Sequence, residues 1–316
     1  MKTIAILAIV GVAALAMFSM TSGVDSGVES EFQAFMSRHG VNYGTTEEYN
    51  FRLGVFQKNL DIIARLNAQN DDAVFGVNEF ADRTEEEMKR RLGFNLPADQ
   101  LTGASHVAPV NAQDVDWTNM WDAVKDQGQC GSCWAFSATA AFESRFELAH
   151  GTKHVDALYS EQELVDCDTQ SSGCNGGLMD YAFEYLENNA FCTEDQYPYR
   201  AVDGTCTVSK CSGGPSDKAY TDIPEGDEDA LVAELQNGPV AVAVDANSWS
   251  FYKKGIMKRC GTSLDHGVTL VAVNTEEGSL KIRNSWGGQW GEKGYIRLAL
   301  GKNTCGVANA ASVPSF

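Results

Sequence analysis

The chain has 316 residues, 43% of them hydrophobic, too long for one small domain and enough for two substantial cores. A formal net charge of -19 and a pI of 4.6 argue against nucleic acid as a partner and suit a protein that stays soluble at low pH. All nine cysteines lie from Cys130 onward; in a secreted chain, an odd number points to disulfides plus one leftover thiol.

Residues 1–23 read as a signal peptide. Lys2 supplies a positive start, Ile4 to Met17 is an apolar stretch of leader length, and small residues follow at Ser19, Thr21, Ser22 and Gly23. The stretch falls short of the roughly 20 residues a spanning helix needs, and no later segment reaches that length. No membrane span is therefore expected once the leader is removed.

Residues 24–92 lack cysteine and read as mostly helical. Glu48, Arg52, Phe56, Asn59, Ile63 and Asn67 fall on one helix face, where neighbouring turns can pair charge with amide and pack Phe56 on Ile63. An ordinary amphipathic helix shows the same period, so the spacing by itself establishes only a helix. Gly76-Val77-Asn78-Glu79-Phe80-Ala81-Asp82 then reads as a short extended run. Residues 93–110, with Gly93, Pro97, Gly103 and Pro109, have no period and read as a linker.

From Val115 the composition shifts toward Trp, Cys and Gly. Cys133 to about His150 reads as a helix ended by Gly151, with a first half apolar nearly all round, as in a buried helix. Ser160-Glu161-Gln162-Glu163 is a capping box opening a second helix, and a third runs from about Leu178 to Leu186. Val240 to Val244, Val268 to Val273 and Leu280 to Arg283 read as strands. Helices first and strands second predict two unlike lobes in an α+β domain.

Gln127-Gly128-Gln129-Cys130-Gly131-Ser132-Cys133-Trp134 places Cys133 at the first turn of a buried helix. Unpaired N–H groups and the helix dipole favour a thiolate there. Cys130 and Cys133 would also fit a zinc or redox Cys-x-x-Cys, but the second ligand pair and the βαβ context those need are missing. A nucleophile needs a base, and the region after the linker offers only His150, His154 and His266. The first two lie at the polar end of the helix, where a cation complements the dipole. His266, just before a buried strand, would by itself be structural; paired with a helix-start cysteine it reads as the base. Asn284 can orient it by accepting the His266 Nδ1–H, leaving Nε2 toward the sulfur, with Trp286 shielding that bond from water.

Together with Asp265-His266-Gly267 and Asn284-Ser285-Trp286-Gly287, the run from Gln127 to Trp134 resembles the papain family of cysteine proteases. The gaps from Cys133 to His266 and Asn284 are 133 and 151 residues. Residues 48–67 resemble that family's ERFNIN pro-segment motif, and Gly76, Asn78, Phe80 and Asp82 its GNFD motif. Gly173 to Phe183 and Cys305-Gly306-Val307-Ala308 resemble the cathepsin L-like branch. The chain departs from the pattern at Val271-Ala272-Val273-Asn274, at Ser279-Leu280, and at the proline usual near the mature N-terminus.

The resemblance implies a papain-like two-lobe α+β fold, with a helical left lobe and a β-barrel-like right lobe, preceded by a helical inhibitory pro-domain. The division would be a signal peptide at 1–23, pro-domain and linker at 24–110, and the peptidase domain at 111–316. It implies a latent proenzyme whose pro-segment runs backwards through the cleft and is cut near residues 105–114 when acid protonates carboxylates such as Asp82 or Glu48. Cys133 would attack a peptide carbonyl, His266 would protonate the leaving amine, and Gln127 with the Cys133 N–H would hold the oxyanion. Gly176 and Gly177 would pair with an extended substrate, with Trp290 nearby. Leu178, Met179, Ala243, Leu264, Gly267 and Ala310 would line an apolar pocket for the P2 residue, two before the cut. Disulfides would join Cys130 to Cys174, Cys167 to Cys206 and Cys260 to Cys305. Cys192 and Cys211 remain, and pairing them leaves Cys133 as the lone thiol.

No metal or cofactor is implied. The expected partners are protein and peptide substrates and the chain's own pro-domain, in a monomer of the secretory pathway, bound for a lysosome or vacuole or for the outside. A non-catalytic relative would lack Cys133, an isolated pro-segment-like inhibitor would lack the lobes, and an exopeptidase would need a loop that the stretch from Cys174 to Tyr197 has no room for.

Overall fold

The computed structural model describes residues 26–96 and 113–316. The expected leader at 1–23 lies outside them, as does nearly all of the expected cleavage stretch. The chain divides into two units, one ending at Asn42 and one running from Tyr43 to the C-terminus. The first contains α1 (Ser26–His39), whose Glu29 sits in the first turn and Arg38 and His39 in the last, each sign complementing the helix dipole.

The second unit opens with α2 (Thr46–Gln69), capped by the Thr45 hydroxyl, which accepts from the Glu48 N–H at 3.1 Å. The expected face is present, but its polar members reach off the helix rather than to neighbouring turns. Arg52 donates to both carboxylate oxygens of Glu87 (2.6 and 2.8 Å), and Asn59 Nδ2 donates to the Ala81 and Arg83 carbonyls, both at 2.9 Å. Asn67 holds both polar groups of the Phe75 backbone, fixing β1 (Val74–Phe75). The run from Gly76 to Asp82 is not extended. Asn78 Oδ1 accepts from the Phe80 N–H and bends the chain into a turn, while its Nδ2 reaches the Ser250 carbonyl at 2.8 Å. α3 (Glu85–Lys89) follows with a complete capping box between Thr84 and Glu87.

The peptidase part begins with β2 (Val115–Asp116) and three helices: α4 (Cys133–Ala149), α5 (Glu161–Cys167) and α6 (Met179–Asn188). At α5 only half the expected capping box forms. Ser160 accepts from the Glu163 N–H, but the Glu163 carboxylate turns away to the Tyr185 hydroxyl and the Cys192 N–H. Then come β3 (Ala219–Asp222), α7 (Glu228–Leu235), β4 (Val240–Val244), β5 (Tyr252–Lys254), β6 (Ile256–Met257), β7 (His266–Asn274), β8 (Ser279–Arg283), β9 (Tyr295–Ala299) and β10 (Ala311–Ser315).

The main sheet runs in the order β3-β10-β4-β7-β8-β9-β6, with β2 added on β7; its two edges do not pair, so the sheet is open rather than a closed barrel. β1 pairs separately and antiparallel with β5. β4 and the long β7 are buried along nearly their whole length, which is why they read as continuous apolar runs. One core packs α4, α5 and α6 around Trp134, Phe142 and Phe183; the other packs the sheet around Trp249, Trp286 and Trp290. The fold is α+β, papain-like, with a helical and a strand-rich lobe and the N-terminal pro-segment ahead of them. Four disulfides join Cys130 to Cys174, Cys167 to Cys206, Cys192 to Cys211 and Cys260 to Cys305, leaving Cys133 as the free thiol.

Candidate active site

Four segments far apart in sequence meet at the first turn of α4. Ser132 precedes that helix without giving it a side-chain cap, and the Trp134 N–H of the first turn points to the Cys133 sulfur instead. β4 and β8 flank β7 and carry its first residue, His266, to this turn. The Gly267 N–H donates to Cys133 Sγ at 3.3 Å. Gly267 lets the strand approach the helix closely: a Cβ there would lie 3.1 Å from the Trp134 backbone and 3.2 Å from that of Cys133, forcing the two apart by a few tenths of an ångström.

The imidazole is oriented by Asn284, just beyond β8, but through the nitrogen opposite to the one expected. His266 Nε2 meets Asn284 Oδ1 at 2.8 Å, while Nδ1 has no hydrogen-bond partner among the described residues. Trp286 lies over the pair with its ring 4.9 Å from the imidazole, and Trp249 meets His266 edge-on at 6.3 Å. Gln127 is fully buried; Ser285 Oγ donates to its Oε1 at 2.6 Å and fixes the amide.

The segment from Arg91 to Leu96 occupies this site. The Arg91 carbonyl accepts from Gln127 Nε2 at 2.8 Å, beside the Cys130 carbonyl at the same distance. The Gly93 N–H donates to Cys133 Sγ at 3.2 Å. Only glycine fits at 93, since a Cβ there would lie 1.8 Å from the Gly131 oxygen. Gly177 exchanges backbone hydrogen bonds with this segment: its N–H donates to Gly93 O at 2.9 Å, and its carbonyl accepts from Asn95 N–H at 3.3 Å. The pairing of Phe94 with Gly177 is parallel.

Burial in the covered site disfavours the charged form of both groups. It pushes the Cys133 thiol up to about 11, although the N–H groups of Gly267 and Gly93 pull the other way. It pushes His266 down to about 4, against the Asn284 hydrogen bond and with the Arg91 charge adding to the fall. The covered couple is a thiol and a neutral imidazole, the reverse of the ion pair that the helix-start position favours when exposed.

The Phe94 ring packs in one apolar cluster with Leu178, Met179 and Ala243, against which Leu264, Ala310 and Leu96 also lie. The expected apolar pocket is thus filled by the chain itself. A cavity of about 290 Å³ continues past Met179 and Ala310, and its lining includes Asp180, Glu184, Asp222 and Glu225, so the pocket's surroundings are more acidic than its expected residues indicate. Burial pushes the Asp180 carboxyl up to about 6, opposed by a hydrogen bond from the Ser312 hydroxyl at 2.5 Å. Gly176 precedes Gly177 with a φ of 115°, a left-handed backbone that favours glycine. Trp290 lies elsewhere: it is fully buried behind Trp249 and Trp286, with its indole N–H on the Trp249 carbonyl, and supports the site from within the core.

Arg91, Phe94 and Trp249 went unsingled in the sequence, and Gly93 read only as part of a linker. Arg91, Gly93 and Phe94 straddle the boundary drawn between helix and linker, and the signal there was a bulky-Gly-bulky run, Leu92-Gly93-Phe94, directly after a capped helix. Trp249 had none, because only folding brings it to His266.

Residues 111–315 match the family described as papain family cysteine protease, and residues 32–88 match the cathepsin propeptide inhibitor domain (I29). A cathepsin L of Sarcophaga peregrina is 38% identical, over 96% of this chain and 98% of its own length. A cathepsin L 2 of Paramecium tetraurelia is 40% identical, over 88% of this chain and 89% of its own. Among solved structures, digestive procathepsin L 3 of Tenebrio molitor larval midgut is similar with a TM-score of 0.79 and 34% identity, covering 92% of this chain and 99% of that one.

Proposed function

Because the chain belongs to the papain family of cysteine proteases and is made as a proenzyme with an I29 propeptide, we propose that it is an endopeptidase whose nucleophile is Cys133 and whose base is His266. Once the cover leaves, the Cys133 thiolate attacks a peptide carbonyl carbon, and Gln127 Nε2 with the Cys133 N–H holds the oxyanion. The C–N bond breaks as His266 gives its proton to the leaving amine. Water then attacks the thioester, His266 takes the water's proton, and the Cys133 sulfur leaves. Asn284 engages Nε2, so Nδ1 is the nitrogen that exchanges the proton.

The observation that carries the reading is the direction of the covering segment. A substrate puts its pocket residue before the carbonyl that is cut. Here the carbonyl on Gln127 belongs to Arg91, and the pocket residue, Phe94, comes three positions later. A reversed chain offers the sulfur an N–H instead of a carbonyl carbon, and so occupies the site without being cut. We assign residues 1–23 to a leader, 24–110 to the pro-domain and linker and 111–316 to the peptidase. The expected setting is a monomer of the secretory pathway, in a lysosome or vacuole or outside the cell.

Phe94 also indicates the P2 preference: an apolar residue gains roughly 1.5–3 kcal/mol from full burial there. Arginine would lose hydration against apolar walls, a loss that the carboxylates beyond Met179 and Ala310 soften without cancelling. Kinetics of the processed enzyme on paired substrates tests this. Phe-Arg should be cut much faster than Arg-Arg, and Ala310→Glu should narrow the gap; a preference for Arg-Arg overturns the pocket. Near wild-type peptidase activity in Cys133→Ser would overturn the nucleophile.

A further inference from the structure

A cavity of about 430 Å³, within the range of small-molecule sites, adjoins the catalytic site behind Trp286 and the covering segment's Leu92, both of which line it. One wall is the pro-segment: Val55, Ile62 and Leu66 along α2, and Met88 on α3. The opposite wall belongs to the peptidase part, with Phe251 and Trp286 among its residues. The site is therefore composite. It exists while the pro-segment is seated and loses a wall when that segment is removed.

The rim has a sign. The chain carries a net charge of -19, yet four cations, Lys58, Arg65, Arg83 and Lys89, line this cavity against two carboxylates, Glu85 and Glu86. Lys89 is paired with Glu85 at 2.7 Å, and Arg83 lies 3.5 Å from Asp82 and 3.9 Å from Glu87. Lys58 and Arg65 make no ion pair among the described residues; Lys58 feels Glu85 only at longer range. They stand two turns apart on α2, on either side of Ile62, so two uncommitted cations flank an apolar wall. The α2 wall has its backbone hydrogen bonds closed within the helix, so it offers an incoming peptide no strand edge.

We infer that this cavity binds a small amphiphile with one carboxylate head and an apolar body, the class of a medium-chain fatty acid. The head is held by Lys58 and Arg65, and the body lies between Ile62 on one wall and Phe251 and Trp286 on the other. Because only the covered form contains both walls, such a ligand holds the proenzyme shut. At a concentration 100 times its dissociation constant it lowers the uncovered population about 100-fold. That consequence for activation rests on the latency proposed above, whereas the binding itself does not.

The test titrates sodium dodecanoate, below its micelle concentration, into the wild-type full-length proenzyme at neutral pH and into the processed peptidase. Calorimetry gives the affinity and thermal unfolding gives the shift in Tm. The expected result is saturable one-to-one binding that raises the Tm of the proenzyme and leaves that of the processed form unchanged. Lys58→Glu with Arg65→Glu, both on exposed positions, should weaken binding by at least about tenfold, and uncharged dodecanol should bind weakly by a similar factor. Ile62→Trp should fill the cavity and abolish binding, its folding being checked by the ligand-free Tm. Absence of binding, equal binding to the processed form, or indifference to the charge reversal each overturns the proposal. So does a proenzyme dimer that dodecanoate dissociates, since the groove would then belong to a second copy. Slower self-processing with dodecanoate is expected as well; normal processing alongside intact binding would count against the latency reading and leave the site standing.

Discussion

In the pro-segment Glu87 is anchored by an arginine, whereas in the peptidase part Asp217 has no charged or side-chain partner among the described residues, and the two respond to acid in opposite senses. The Arg52 guanidinium holds Glu87 down to about 2. Asp217 is 2% exposed, and among the described residues its carboxylate finds no side-chain partner; burial plus repulsion from Glu187 pushes it up to about 7, opposed only by its own backbone N–H. Glu87 therefore adds stability that is complete above its ordinary 4.5 and is lost as the pH falls toward 2. Asp217 favours the fold fully below its ordinary 3.8, and that contribution is lost as the pH rises through about 7. The cover is held together by an ion pair and side-chain-to-backbone bonds from Arg52, Asn59 and Asn67, and Asn78 ties it to the Ser250 carbonyl; the enzyme beneath has four disulfides and two large cores. Acid weakens the one and relieves a strain in the other.

The strongest way to break this contrast is to unseat the cover without acid. Gly93→Val drives a side chain into the Gly131 carbonyl, and the unprocessed proenzyme should then hydrolyse peptide substrates at least about tenfold faster than wild-type proenzyme at neutral pH. A silent Gly93→Val proenzyme would mean that the cover does not depend on this close approach.

Glu87→Gln sharpens the contrast from the other side. It removes the paired charge opposite Arg52, so self-processing at pH 5 should run roughly five- to tenfold faster, and the pro-segment's acid sensitivity between pH 4.5 and 2 should flatten. Timed gels across that range measure both. Glu48, one of the acid triggers expected from the sequence, gives its backbone N–H to the Thr45 cap and makes no ion pair among the described residues, so Glu48→Gln is the matched control.

The smallest effect is expected at Asp217→Asn. The processed enzyme should gain about 2–4 °C in Tm at pH 7.5 and nothing at pH 3.5, where the wild-type carboxyl is already neutral. An equal gain at both values would show that the substitution acts through packing.

Much of this was legible in the chain because the chemistry demands it locally. A cysteine opening an apolar helix, a histidine opening an apolar strand and an amide beside Trp286 need no partner to stand out, and the fold brings all three together with Gln127. β4 and β7 were readable as apolar runs and β8 as an alternating strand. β10 was not, because Ala311–Ser315 is short, mixed and contains Pro314, and it becomes a strand only between β3 and β4. β3 and β5 are mostly exposed and carry no apolar pattern. The choice of imidazole nitrogen was beyond reach for a related reason: it depends on where folding sets Asn284, 18 residues on, relative to the His266 ring. The Glu163 carboxylate misled in the same way, since partners from α6 and Cys192 outbid its own helix cap.

The central claim is that the cover converts a reactive pair into a thiol and a neutral imidazole. Alkylation of Cys133 by iodoacetamide, followed against pH in proenzyme and processed enzyme, tests it most directly. The processed enzyme should react rapidly from mildly acid pH upward, as a thiolate paired with imidazolium does. The proenzyme should react slowly throughout, rising only as the pH approaches the thiol's own value of about 11. A proenzyme that alkylates as fast as the processed enzyme at pH 5 would contradict the account.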